Sequence, residues 1–311
     1  MKKTMINQTH VEGYLYEHDL KLKVSGDNSK NPGTPFITGS ISIATDNECT
    51  NIVSVHFTYV TATTAKGSAN ATFGTLKNIV DGVIGTVMSK GKDNAAKIRV
   101  DSAIGLNEFY SNRNGTEELV SVKRNEGGFV HLADALVEDE KARNTFKVDM
   151  VITGVTHVEA DEERNLPEKA IVKGCVFDFR KAILPVEFTA LNPNAISYFL
   201  GLEATNKNPV CTNLWGRQVS ETIVRRTVEE SAFGEDSVRE TKSTRRDFVI
   251  TGAAKEPYVW DDEEFITANE LSEAMAARET YLATIKQRQD EYRASQGQAA
   301  SAAPAAGGFN F

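Results

Sequence analysis

One succession of strand-forming segments occurs twice in this chain, and a repeat of that length dictates two similar units more firmly than composition does. Ile37-Thr38-Gly39-Ser40-Ile41, followed by Ile52-Val53-Ser54-Val55-His56-Phe57-Thr58, lines up with Val172-Lys173-Gly174-Cys175-Val176, followed by Ile183-Leu184-Pro185-Val186-Glu187-Phe188-Thr189. In the first copy apolar residues fall on every second position of Ile37–Ile43 and Val53–Tyr59, the signature of half-buried antiparallel strands. A strand-like run from Val11 to Val24 precedes them. Ala71–Met88 follows with Phe73, Leu76, Ile79, Val80, Val83 and Ile84 at near-helical spacing. Further strands are expected from Lys97 to Tyr110 and at Leu119–Arg124, turning at Asn114-Gly115.

The second copy keeps the order. A strand at Val148–Val158, an acidic turn at 159–168, the two aligned strands, a helix at Asn192–Leu200 and strands at Val210–Val224 and Asp247–Gly252 are expected. Strand, strand, strand, helix, strand, strand, taken twice, fits two small closed barrels better than one large sandwich. The expected units are residues 8–142 and 145–260, mainly β.

Beyond Trp260 the pattern changes. Thr267 and Glu270 have the spacing of a capping box, and Leu271, Met275, Leu282, Ile285 and Tyr292 then share one side of an amphipathic helix expected over 266–295. Residues 296–311 are rich in Ala, Gly and Ser and end in Phe309-Asn310-Phe311, a composition read as a disordered tail.

The 311 residues carry a net charge of −8, of which residues 1–150 contribute −1 and residues 151–311 contribute −7. Asp261-Asp262-Glu263-Glu264 concentrates part of that acidity, so a basic stripe elsewhere remains compatible with polyanion binding. Three cysteines without a C-x-x-C spacing argue against a disulfide framework and a cysteine zinc site. The five histidines show no paired metal-ligand spacing. Gly85 and Gly91-Lys92 miss the spacing of a phosphate loop, and Asp93 replaces its hydroxyl residue. No nucleophile elbow is present, so neither an enzyme nor a cofactor is expected.

The twice-repeated strand order, with its helix after the third strand, resembles the OB-fold across roughly residues 8–260, a five-stranded barrel that commonly binds oligonucleotides. The Phe-tipped tail is similar to that of single-stranded DNA-binding proteins, and the sequence style resembles those of the bacteriophage type. In the bacterial proteins the tail is acidic before its tip; here the acidic run precedes the helix and the tip is neutral. The resemblance implies sequence-tolerant single-stranded DNA binding in phage replication or recombination. The C-terminal helix and the tail tip, Phe309 and Phe311, would then recruit replication or recombination proteins or support self-association. With no secretory signal and no apolar run long enough to span a bilayer, the expected location is cytoplasmic, in the host if phage-encoded.

Such a protein needs aromatics that stack on bases and cations that follow phosphates. Placing Gly174 and Val176 inward sends Lys173, Cys175, Phe177 and Phe179 to the outer face, next to Arg180; the alternative is a bulged strand with both phenylalanines in the core. Tyr14, Tyr16 and His18 are expected to share one face of the first strand, with His56 on the outer face of the third, although tyrosine pairs also serve cross-strand packing. Phe109, Tyr110 and Arg113 sit by the hairpin, with Lys123 and Arg124 on its return strand, in an arrangement that either closes over a strand or is a solvated loop. Trp215 and Arg217 add an aromatic and a cation in the second unit. A structural or assembly protein such as a virion component, using its barrels for protein contacts, and an RNA-binding module are the competing readings.

Overall fold

Alternating apolar residues and short turns produce, among the described residues, eleven strands and four α-helices that keep the expected order, with the run expected at Val11–Val24 split into two strands and the helix expected at Ala71–Met88 split into two short ones. The computed structural model describes residues 4–27, 29–113, 116–161, 166–229 and 237–301, with side chains described outside 113, 221–245 and 295–301. The first unit comprises β1 (Asn7–His18), β2 (Lys21–Val24), β3 (Pro35–Ala44), β4 (Ile52–Thr61), α1 (Ala71–Val80), α2 (Val87–Lys90), β5 (Lys97–Arg113) and β6 (Thr116–Leu132). The second comprises β7 (Asn144–Val158), β8 (Lys169–Phe177), β9 (Ile183–Ala190), α3 (Pro193–Gly201), β10 (Val210–Glu229) and β11 (Ser237–Ala253), and α4 (Ala268–Ser301) follows.

Each unit closes into a ring of five strands. In the first, β1 pairs with β3, β3 with β4, β4 in parallel with β6, β6 with β5, and β5 with β1. In the second, β7, β8, β9, β11 and β10 close in the same order, and the β9–β11 pair is again the parallel one. These are two OB-like barrels. Inward-facing Val11, Leu15, Ile41, Val55, Phe57 and Val100 fill the first, and Leu76 and Ile79 of α1 plug its end. Phe146, Val172, Phe188, Ile196 and Phe199 fill the second, with Phe146 and Phe188 stacked at 5.0 Å.

Local chemistry sets where the helices stop. Asn70 caps α1 by accepting from the Thr72 amide at 3.2 Å, and the helix ends at Val80 rather than Met88 because Gly82 takes a φ of +73°. Asn192 caps α3, whose first residue is Pro193. The capping box at Thr267 and Glu270 forms as expected, with both bonds present at 3.0 and 3.3 Å. The helix it opens runs to Ser301, past the expected end at 295, and residues 302–311, with Phe309 and Phe311, lie outside the described residues.

The barrels are fused rather than tethered. Antiparallel pairing of β1 with β7, from Asn7↔Val148 to Val11↔Asn144, makes one sheet of both. The long β5–β6 hairpin leans onto the second barrel, where Ile104 and Leu106 enter its core. Asn125 Nδ2 donates to Gln218 Oε1 at 2.7 Å and Gln218 Nε2 returns a bond to Asn125 Oδ1 at 3.0 Å, satisfying two buried amides between β6 and β10. A third apolar cluster joins Val151, Cys175, Phe177, Ile183 and Cys211 on the outside of the second barrel to Phe265, Ile266, Leu271 and Ala274.

That cluster corrects two expectations. Cys175 and Phe177 do point away from the barrel interior, but the segment leading into α4 covers them, so Phe177 is fully buried. On α4 itself, Leu271, Ala274, Arg278, Leu282, Ile285 and Gln289 form the half-buried stripe, while Met275 and Tyr292 are exposed. The stripe is partly polar because its partners are polar: Arg278 pairs with Glu108, and Gln289 accepts from the Tyr110 amide at 2.8 Å and donates to its carbonyl. No helix among the described residues is long and apolar enough to cross a membrane.

Candidate nucleic-acid interface

The outer face of β2, β3 and β4 carries an aromatic platform that strict alternation hides. Ile37 pairs with Val60 and Gly39 with Phe57, so Thr58 and Tyr59 together oppose Thr38 alone. This bulge reverses the parity of β4 and turns Tyr59 outward. Its ring lies against Phe36 with centroids 4.5 Å apart, its hydroxyl is 3.0 Å from Ser25 Oγ, and the residue remains 48% exposed. On β2, Lys23 pairs with Phe36 and Lys21 with Thr38, which puts both lysines beside the platform. Neither lysine takes part in an ion pair among the described residues.

Farther along this face, His56 stands opposite Ser40. Burial, reinforced by the Arg124 charge, lowers the imidazole pKa, so the ring is neutral at pH 7. Asp19 accepts from the Ser40 hydroxyl at 2.9 Å and from its amide; burial opposes its ionisation, but these bonds and His56 outweigh it and hold the carboxyl below its usual range. Arg124 pairs with Glu126 at 3.1 Å, and Glu126 also accepts from Thr58 at 2.8 Å. At the His56 end Arg124 is thus paired with Glu126, although its buried Nε finds no partner, while the Tyr59 end offers unpaired cations and an open ring.

The other expected residues disperse. Tyr14 and Tyr16 are half-buried; Lys92 sits 5.3 Å from the Tyr14 ring, and a bulge at Tyr16 turns His18 toward Ile41, so the expected common face with His18 ends there. Lys123 was expected in solvent but is inserted between the barrels, with its ammonium 4.7 Å from the Phe188 ring and 4.4 Å from Phe248, and it donates to the Glu187 carbonyl. Burial there drives its pKa down to about 8, against the pull of Asp247 and Glu187. Phe109 and Tyr110 lie on the hairpin beside α4, with Lys286 5.6 Å from the Tyr110 ring; the side chain of Arg113 lies outside the described residues.

Lys173 pairs across the sheet with Glu187 at 3.5 Å. Phe179, 88% exposed in the β8–β9 turn, carries the Arg180 guanidinium 4.9 Å from its ring. Trp215 and Arg217 lie elsewhere again, on β10 near the seam between the barrels. Phe36, Tyr59, Lys21 and Lys23 were missed by sequence reasoning. The alternation of Lys21 and Lys23 was the one signal available, since the bulge that exposes Tyr59 has no local signature.

Two structures of the single-stranded DNA-binding protein from Thermus aquaticus align with the chain. The wild-type structure does so at 9% identity and a TM-score of 0.46, covering 82% of this chain and 95% of that one. A deletion mutant of that protein aligns at 8% identity and a TM-score of 0.46, covering 84% and 98%. No curated protein sequence matches the chain. The YorF family model matches residues 6–288, both barrels and the larger part of α4, and the chain accordingly belongs to the YorF family.

Proposed function

We propose that this chain is a non-catalytic, sequence-tolerant single-stranded DNA-binding protein that works in phage replication or recombination in the host cytoplasm. One observation carries the reading: the β4 bulge presents Tyr59, backed by Phe36 and flanked by Lys21 and Lys23, on the outer face of a barrel's second and third strands. A base stacks on the exposed ring while the lysines neutralise neighbouring phosphates, and neither contact reads sequence. The neutral His56 ring, farther along, extends the face without adding charge. The acidity of the C-terminal half does not oppose this, because its densest run, Asp261–Glu264, precedes α4 rather than lying on β2–β4.

Fluorescence anisotropy of a labelled ~30-nucleotide DNA strand at several salt concentrations tests the reading. Tyr59→Ala should weaken binding roughly 5- to 150-fold, the worth of one stacked base. Exchanging both Lys21 and Lys23 for alanine should flatten the slope of log affinity against log salt by about 1.4, since each phosphate contact on a single strand contributes about 0.7. Wild-type protein that retains no strand at low salt, or variants indistinguishable from it, would refute the assignment.

A further inference from the structure

A second surface, unrelated to the β2–β4 face, lies across the seam. A cleft of about 910 Å³ is built on β1, β5 and β6 of the first barrel and β7, β10 and β11 of the second. Strand register sets its rows. Phe129 pairs with Asp101, Asp101 with His10, His10 with Thr145, and Thr145 with Arg217. Lys147 and Trp215 pair directly in the adjacent row. Four strand spacings separate Phe129 from Arg217, about 19 Å.

The side chains facing this cleft combine two properties. Phe129 is 69% exposed and Trp215 is 41% exposed, and the Trp215 indole occupies the space that a Cβ at Gly252 would need, 2.4 Å from Cε2 and Nε1. Lys141, Lys147 and Arg217 also line it, and none of the three is in an ion pair among the described residues. Its acid, Asp101, is engaged by His10 Nδ1 at 2.7 Å and by Arg99 at 3.5 Å. Cations without counter-ions beside two open aromatic rings complement a polyanion that carries bases, and a neutral or basic partner would leave those charges unanswered.

We infer that this inter-barrel cleft is a second binding surface for single-stranded DNA, taking phosphates on Lys141, Lys147 and Arg217 and bases on Trp215 and Phe129. The inference rests on the proposed DNA-binding function and adds a path by which one strand engages both barrels. Short strands would occupy the Tyr59 face alone, and longer ones the cleft as well.

Trp215 supplies its own reporter. The chain has two tryptophans, and Trp260 packs against the third apolar cluster, so Trp260→Phe leaves Trp215 as the sole indole. In that protein a ~30-nucleotide strand should quench the emission as bases stack, whereas a ~8-nucleotide strand should bind by anisotropy with little quenching. In the otherwise native chain, Trp215→Ala with Phe129→Ala should lower affinity for the long strand by at least 5-fold and leave the short one unchanged; this arm stands if the Trp260 variant does not fold. Anisotropy showing long-strand binding with unchanged Trp215 emission and unaffected variants would overturn the cleft while the Tyr59 assignment survives. Absence of any binding at low salt would instead remove the DNA reading itself. Concentration-dependent dimerisation that shields Trp215 before DNA is added would identify the cleft as a contact between copies and also overturn the inference.

Discussion

Arg278→Ala is expected to release α4 from the barrels and to lower the unfolding free energy by about 3–5 kcal/mol. The guanidinium binds both carboxylate oxygens of Glu108 and donates to the Ile183 carbonyl at 3.2 Å, and the Glu108 side chain is only 2% exposed. Removing the arginine strands a buried carboxylate, which costs more than the pair itself contributes. The outer contacts of the same helix, Lys286 and Arg293 with Glu117, lie in solvent, and their loss should change stability little. Urea unfolding gives the first quantity, and hydrogen exchange along α4 should show protection lost from Leu271 onward. The double variant Glu108→Met, Arg278→Met should recover most of the loss. A single variant with an unchanged unfolding midpoint would show that the pair does not anchor the helix.

The second large effect is a pH dependence centred on Lys123. Its pKa is about 8 in the folded protein against 10.5 for an ordinary lysine, with burial against Phe188 and Phe248 as the main cause. Below pH 8 the folded and unfolded chains both hold this proton, and the cost of burying the charge is present in full. As pH rises through 8 the folded protein releases it while the unfolded chain keeps it, so stability increases until about pH 10.5. The gain approaches about 3 kcal/mol. Comparing the wild type with Lys123→Met cancels every other titrating group. The difference in unfolding free energy should move toward the wild type by about 3 kcal/mol between pH 7 and 10.5, and a flat difference would mean that the ammonium is solvated.

What could be read from the chain follows the range of the interactions involved. The two strand orders were legible because alternation and caps are local; the Thr267–Glu270 box announces itself within four residues, whereas the expected Asn114-Gly115 turn lies outside the described residues. The barrel interior at Val172 and Val176 followed from the same rule. Tyr59 did not, because a single extra residue in β4 reverses its parity and nothing near it in sequence reports the insertion. Tyr16 failed for the same reason on β1. Lys123 and Phe177 failed differently. Phe177 points outward from its own barrel as expected, and Lys123 does lie on the hairpin's return strand, but the surfaces they meet come from Phe265 and Ile266 and from Phe188 and Phe248, all more than sixty residues away. The polar stripe of α4 likewise makes sense only beside Glu108 and Tyr110.

Under the proposed DNA-binding function, the β1–β7 seam bears on how the protein would measure length. Two binding modules on a flexible tether present each other with an effective concentration that falls off smoothly with the distance between them. Here the shared sheet and the Asn125–Gln218 pair hold one geometry, so the second module is positioned before any strand arrives. The entropy of orienting it is spent during folding. Affinity should therefore climb abruptly once an oligonucleotide is long enough to reach across, and the chain would act as a rigid gauge of exposed strand.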